Sequence, residues 1–315
     1  MCDSAMMQSI SLSLKNKESR LFSIDPKPFN FEVHFFDFDG TLIDTLWIMR
    51  DGMKIAFRKL TMISRETQFT AVDEEFYKDI VEKDFASKRV IAILHEFIKY
   101  CIENINVTIK GLDQRLFYQY PKAISADAIA AIRAELEKIH APYCLLGTAQ
   151  KTLIAQSVFR LYMGLYVPAT EEIISSSLHL NNYIYPGVIK YLKSINHENS
   201  FIISGGSLSR VSRVLEKTEL GLMFSDKIYC PQGYERLTEG ARYKIDTLKN
   251  LIKKTNGSRA IFIDDQAHVI EQASNLGIST LGIIHKEQDV ERMLAARPSF
   301  IITCNFLAFS NRHFL

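Results

Sequence analysis

The stretch VHFFDFDGTLIDT, Val33 to Thr45, constrains this chain most. A short apolar run ends in two aspartates separated by one phenylalanine, and Gly-Thr follows. Such a run, bounded by polar residues on one side and Gly40 on the other, reads as a buried strand over Val33–Phe38. Two carboxylates this close repel, and burying either is costly unless something compensates it. The fold must therefore bring cations or hydrogen-bond donors to the end of this strand.

From about Thr45 to Asn182 the pattern is helical. Leu46, Met49, Met53, Phe57 and Leu60 recur at three- and four-residue spacing and predict one apolar helix face. The segments DEEFYKDIVEKDF, KRVIAILHEFIKYCIENI, ADAIAAIRAELEKI and KTLIAQSVFRLYMGLYV repeat the theme. From Tyr183 strands and helices alternate, with strands expected at Ser200–Ser204, Lys227–Cys230, Ala260–Asp264 and Ser279–Ile284. This alternation predicts an open parallel sheet with helices on its faces, and the strand at Val33 joins it most simply. The expected organisation is an extension over residues 1–30, an α/β core over 31–45 and 183–315, and a large α-helical insert over 46–182.

Composition narrows the class. With 47% hydrophobic and 23% charged residues, the chain has the make-up of a soluble globular protein. A net charge of +2 points to no nucleic-acid or acidic-membrane partner. The five cysteines show no CxxC or His-paired metal spacing, which suits a reducing compartment. Residues 1–22 lack the apolar core of a signal peptide and read as a loosely ordered extension. Val90–Ile102 is shorter than the roughly 20 residues a spanning helix needs, and His95, Glu96 and Lys99 interrupt it. No transmembrane segment and a cytoplasmic location are expected.

In an open α/β sheet, ligands bind beyond the carboxyl ends of the strands. Asp37 and Asp39 lie there, as do Ser204, Gly205 and Gly206, and Asp264 with Asp265. Lys244 sits at or near the start of the helix before the fourth of these strands. Magnesium takes carboxylate and phosphate oxygens together and would make such a cluster tolerable. Lys244, the Ser204 hydroxyl and the N–H groups around Gly205 can hold phosphate oxygens, although Ser204 could equally cap a helix. A carboxylate facing a metal-bound phosphoryl group is a plausible nucleophile. His34 reads as packed within its strand, and the aromatic cluster Arg115–Pro121 as packing. Cys144 and Cys230 have no partner that would make them nucleophiles.

These residues also carry a resemblance. DFDGT after a hydrophobic strand resembles the first motif of the haloacid dehalogenase superfamily, whose members are mostly phosphatases. FIIS is similar to its second motif, Lys244 to its third and IFIDD to its fourth. Tyr185–Val188, YPGV, resembles the segment by which capped members re-enter the core. The resemblance implies a Rossmann-like core with a helical cap inserted after the first motif, and magnesium as cofactor. Asp37 would attack phosphorus, and Asp39 would serve as acid and then base. Ser204, Gly205 and Lys244 would bind phosphate, and Asp37, Asp39, Asp264 and Asp265 would form the metal site. Asp264 stands where many members have glycine, and Val269 and Ile270 occupy the positions of a further aspartate. This matches the double-aspartate variant, with Asp265 the direct ligand and Asp264 either a ligand or its support. Lys244 lacks the usual Lys-Pro context, and Lys249, Lys253 and Lys254 compete for its role. The implied substrate is a phosphorylated small molecule or phosphoprotein, including phosphotyrosine. A phosphomutase, or an idle scaffold whose cap binds a protein or membrane, is the alternative.

Overall fold

The computed structural model describes residues 4–25, 29–62, 166–195, 197–224, 227–231, 240–255 and 259–310. The chain divides into two compact units, one of residues 1–46 with 177–315 and one of residues 47–176.

The first unit is built on a seven-stranded sheet of order β1-β7-β6-β5-β2-β3-β4. The strands are β1 Leu21–Ser23, β2 Val33–Phe36, β3 Ser200–Ile203, β4 Ile228–Tyr229, β5 Ala260–Asp264, β6 Ser279–Ile284 and β7 Phe300–Thr303. Every neighbouring pair is parallel except β1 with β7 at one edge. The central strands β2 and β5 are buried at every residue, as expected of parallel strands covered on both faces. Phe35, Phe36 and Phe262 are fully buried, and Phe35 and Phe262 belong to one core cluster with Val269, Ile270 and Met293. Each β–α alternation read from Tyr183 onward is present, but Ser279–Ile284 is not the final strand expected, because β7 follows and pairs parallel with it. Strand ends differ by one or two residues, because Asp37 and Ser204 have already left the ladder.

The helices used below are α1 Ser4–Lys15, α2 Leu46–Met62, α3 166–176, α4 Val188–Ser194, α5 Leu208–Glu216, α6 Gly221–Phe224, α7 Gly240–Lys254 and α8 Ala267–Ser274. Residues 1–30 are not the loosely ordered extension expected. They carry α1 and β1, with Ile10 fully buried and Leu14 nearly so. Ser13 Oγ and Thr303 Oγ1 share a buried hydrogen bond of 2.9 Å, and the Arg20 N–H donates to Thr303 Oγ1 at 3.0 Å. The polar, Ser-rich sequence hid this because only a few of its apolar residues face inward.

Helix α2 forms as predicted, and among its residues whose side chains are described Ile48, Gly52 and Ala56 are buried, while Leu46 is exposed. The reason is close helix packing. A Cβ on Gly52 would collide with the side chain of Thr170 on α3 and press on Tyr166. A residue without a side chain at Gly52 therefore permits the close approach of α3. The remaining predicted helices of the insert, the segment Val90–Ile102, the Arg115–Pro121 cluster and Cys144 lie outside the described residues.

Candidate active site

Strand register sets the first contact. Phe36 pairs with Ile263, and the Asp37 N–H donates to the Ile263 carbonyl at 2.8 Å. Asp37 is thereby placed beside Asp264, the last residue of β5. Both are buried, at 1% and 0% exposure. Lys244 Nζ lies between them, 2.8 Å from Asp37 Oδ2 and 2.9 Å from Asp264 Oδ2. The remaining oxygen, Asp264 Oδ1, accepts the Gln266 N–H at 2.7 Å, at the start of α8.

Lys244 reaches this position because α7 starts against the β3 loop. A Cβ on Gly205 would stand 3.1 Å from the Gly240 Cα, so two glycines permit the close approach. Gly205 thus packs against the helix that carries Lys244. Of the lysines that competed for the role, Lys249, Lys253 and Lys254 are exposed, and Lys244 alone of the four is buried.

Asp39 stands on the loop after β2. Its carboxylate accepts from both ends of the Arg210 guanidinium, Nη1 to Oδ1 at 2.6 Å and Nη2 to Oδ2 at 2.5 Å. Thr45 Oγ1 also donates to Oδ1, and Ser204 Oγ to Oδ2 at 3.4 Å. Ser204 does not cap a helix. Its hydroxyl accepts the Gly206 N–H at 3.0 Å in the turn before α5, whose N-cap position is Ser207. The loop is fixed by Leu42 N–H to the Phe38 carbonyl, Asp44 N–H to the Tyr183 carbonyl and Tyr185 N–H to the Leu42 carbonyl. Tyr185–Val188 therefore pairs with the first motif before leading into α4.

Asp265 lies over Gly40, which adopts φ +79°, and a Cβ there would overlap the Asp265 carboxylate. Asp265 Oδ1 is buried without a hydrogen-bond partner. Oxygen atoms of Asp37, Asp264 and Asp265 all lie within 4.8 Å of one another. An orphaned buried oxygen among three converging carboxylates fits a hard divalent cation such as magnesium. The side chain of Asp39 is not part of that cluster, because it faces Arg210.

The electrostatics follow from one lysine facing several buried acids. Burial, reinforced by Asp264, Asp265 and Asp39, raises the Asp37 pKa against the pull of Lys244. Burial and Asp264 push Asp265 up to about 8. Burial opposes the charge on Lys244, but Asp264 and Asp37 outweigh it and raise its pKa. For Asp39 burial acts upward, yet the charge and hydrogen bonds of Arg210 and the bond from Thr45 hold it below the ordinary value. Negative charge is in excess around Asp37, as a cation site requires.

Two contributors escaped the sequence reading. Arg210 was hidden among the polar residues of α5, and its only sequence signal was its place six residues after Ser204. His285 follows β6, with Nε2 2.7 Å from the Gly40 carbonyl and its ring stacked on Tyr185 at 4.5 Å. His34 is packed as expected, and burial lowers its pKa to about 4. Burial pushes the Cys230 thiol up to about 12, leaving it without nucleophilic character at neutral pH.

No protein-family model and no curated protein sequence matches the chain. Solved structures do. A candidate phosphatase from Clostridium difficile is similar over 90% of this chain and 98% of its own, with TM-score 0.50 and 14% identity. A haloacid dehalogenase-like hydrolase from Streptococcus pneumoniae is 16% identical, over 89% of this chain and 97% of its own, with TM-score 0.46. No described helix is long and apolar enough to cross a membrane. The likeness to the Clostridium difficile protein shows a shared α/β fold, in which a central β2 is flanked by β5 and β3 and acidic residues stand at the ends of β2 and β5.

Proposed function

We propose that this protein is a magnesium-dependent phosphomonoester hydrolase working through an aspartyl-phosphate on Asp37. The observation that carries the reading is the convergence of Asp37, Asp264 and Asp265 around Lys244, with Asp265 Oδ1 left unpartnered. Magnesium, held by Asp37, Asp265 and the Asp39 carbonyl with Asp264 as ligand or support, would offset the charge of the carboxylates and of the phosphoryl group. Asp37 attacks phosphorus, and the P–O bond to the leaving group breaks. Asp39 gives that oxygen a proton, then takes one from the water that hydrolyses the aspartyl-phosphate. Lys244, Ser204 and the N–H groups near Gly205 bind the transferring group and stabilise its charge. Residues 46–182 act as a helical cap that selects the substrate, a phosphorylated small molecule or a phosphoprotein, in the cytoplasm.

A second reading, an idle core that serves as a scaffold, draws on the full occupancy of the Asp39 carboxylate. Hydrolysis of p-nitrophenyl phosphate decides between them. Release that requires magnesium and is abolished by EDTA and by Asp37→Asn is expected. Release that persists in Asp37→Asn would overturn the aspartyl-phosphate, and absence of release together with no thermal shift from magnesium and beryllofluoride would favour the scaffold.

A further inference from the structure

We infer that Arg210 is a latch on Asp39, engaging both carboxylate oxygens until an incoming phosphoryl dianion draws the guanidinium away. The inference rests on the phosphatase reading above. A carboxylate offers about four acceptor sites, and the described donors fill those of Asp39. Oδ1 takes Thr45 Oγ1 and Arg210 Nη1, and Oδ2 takes Arg210 Nη2 and Ser204 Oγ. No acceptor position remains for the bridging oxygen of an ester or for an attacking water. One donor has to leave before Asp39 can touch a reactant.

Ser204, at 3.4 Å, is the weakest of these donors and would free only one position on Oδ2, whereas Arg210 engages both oxygens and its planar fork matches phosphate as well as carboxylate. The residue has a built place. Its side chain is 5% exposed, and it crosses Gly206, where a Cβ would collide with Nη2 and stand 3.3 Å from Asp39 Oδ2. The same turn holds Ser204 Oγ against the Gly206 N–H. A buried guanidinium needs an anion at every stage. Exchanging carboxylate for phosphoryl keeps it paired while one edge of Asp39 is freed. The freed Asp39 takes a proton from solvent and passes it to the leaving oxygen as the P–O bond breaks, and the proton it then takes from the attacking water returns to solvent as Arg210 closes on the carboxylate again. Arg210 thereby makes the acid available only when a phosphoryl group is present to take the guanidinium.

The test compares wild type, Arg210→Met and Arg210→Lys in the full-length protein. In Arg210→Met, inhibition by inorganic phosphate should weaken at least about tenfold, the scale of a lost charge-assisted pair. With Asp39 no longer latched, the variant's kcat/KM should fall by a similar factor, about tenfold, on phenyl phosphate and on 2,4-dinitrophenyl phosphate, whose leaving group needs no acid. Arg210→Lys should recover part of the phosphate inhibition, because an ammonium supplies the charge but cannot span both oxygens of Asp39. An Arg210→Met protein with wild-type phosphate inhibition, or one whose loss is confined to phenyl phosphate, overturns the latch. Should the variants fail to fold, a crystal structure of wild type with magnesium and beryllofluoride answers the same question. The guanidinium is expected on the fluorides, and an unchanged Arg210–Asp39 pair overturns the latch. A wild type that neither forms that adduct nor hydrolyses any aryl phosphate overturns the phosphatase reading itself, whatever Arg210 does.

Discussion

Lys244 is a single cation between Asp37 and Asp264, each fully enclosed. Removing it leaves two buried carboxylates without their counter-charge. Lys244→Met should therefore destabilise the protein by about 3–5 kcal/mol, measured by urea unfolding without metal. Retained stability would mean that the two acids are protonated or relieved by water. Asp265 makes a separate prediction. Its folded pKa of about 8 lies above the unfolded value near 3.8. The protonated acid therefore supports the metal-free fold at low pH, and that support is lost as pH rises through about 8. A cation binds the carboxylate, so protons and metal compete. The magnesium-induced rise in melting temperature should grow between pH 6 and pH 9 and vanish in Asp265→Asn. A shift independent of pH would remove Asp265 from the metal site.

At the scale of elements, α1 and β1 extend the core. Ile10 is fully enclosed in the cluster formed by β2, β5, β7 and the helices behind them. Ile10→Ala should cost about 2–5 kcal/mol, as for other enclosed aliphatic side chains. Urea unfolding checks this, and a loss below about 0.5 kcal/mol would mean that α1 is peripheral. Gly187 fixes the start of α4 in a different way. Its φ is +83°, and a Cβ would lie 2.5 Å from the Phe306 backbone. Both strain and collision make Gly187→Ala destabilising by more than about 1 kcal/mol, read as a lowered melting temperature.

Across the whole molecule, the site and the sheet are one construction. Phe262 is fully buried in β5, which pairs with β2 on one side and β6 on the other and ends in Asp264. Phe262→Ala should lower stability by about 3–5 kcal/mol. Because β5 carries Asp264 and precedes Asp265, magnesium binding should be lost in the same urea transition as the sheet's circular dichroism signal. Two separate transitions would show that the site unravels independently of the core.

The local part of this organisation was legible in the chain itself. Short apolar runs closed by Asp37, Ser204 and Asp264-Asp265, alternating with helical periodicity, sufficed to place β2 to β6, their parallel sense and the acids at their carboxyl ends, but not the edge strands β1 and β7. That information lies in neighbouring residues and in the period of two or 3.6 that backbone geometry imposes. Four things depended on tertiary structure: the choice of Lys244 over the other lysines of α7, the burial of α1, the close approach of α3 at Gly52 and the closure of Arg210 over Asp39. The Arg210–Asp39 contact joins residues 171 positions apart. Nothing periodic marks a polar residue that turns inward, because its burial is decided by the charge it meets across the fold and by the glycine, here Gly206, that makes room for it.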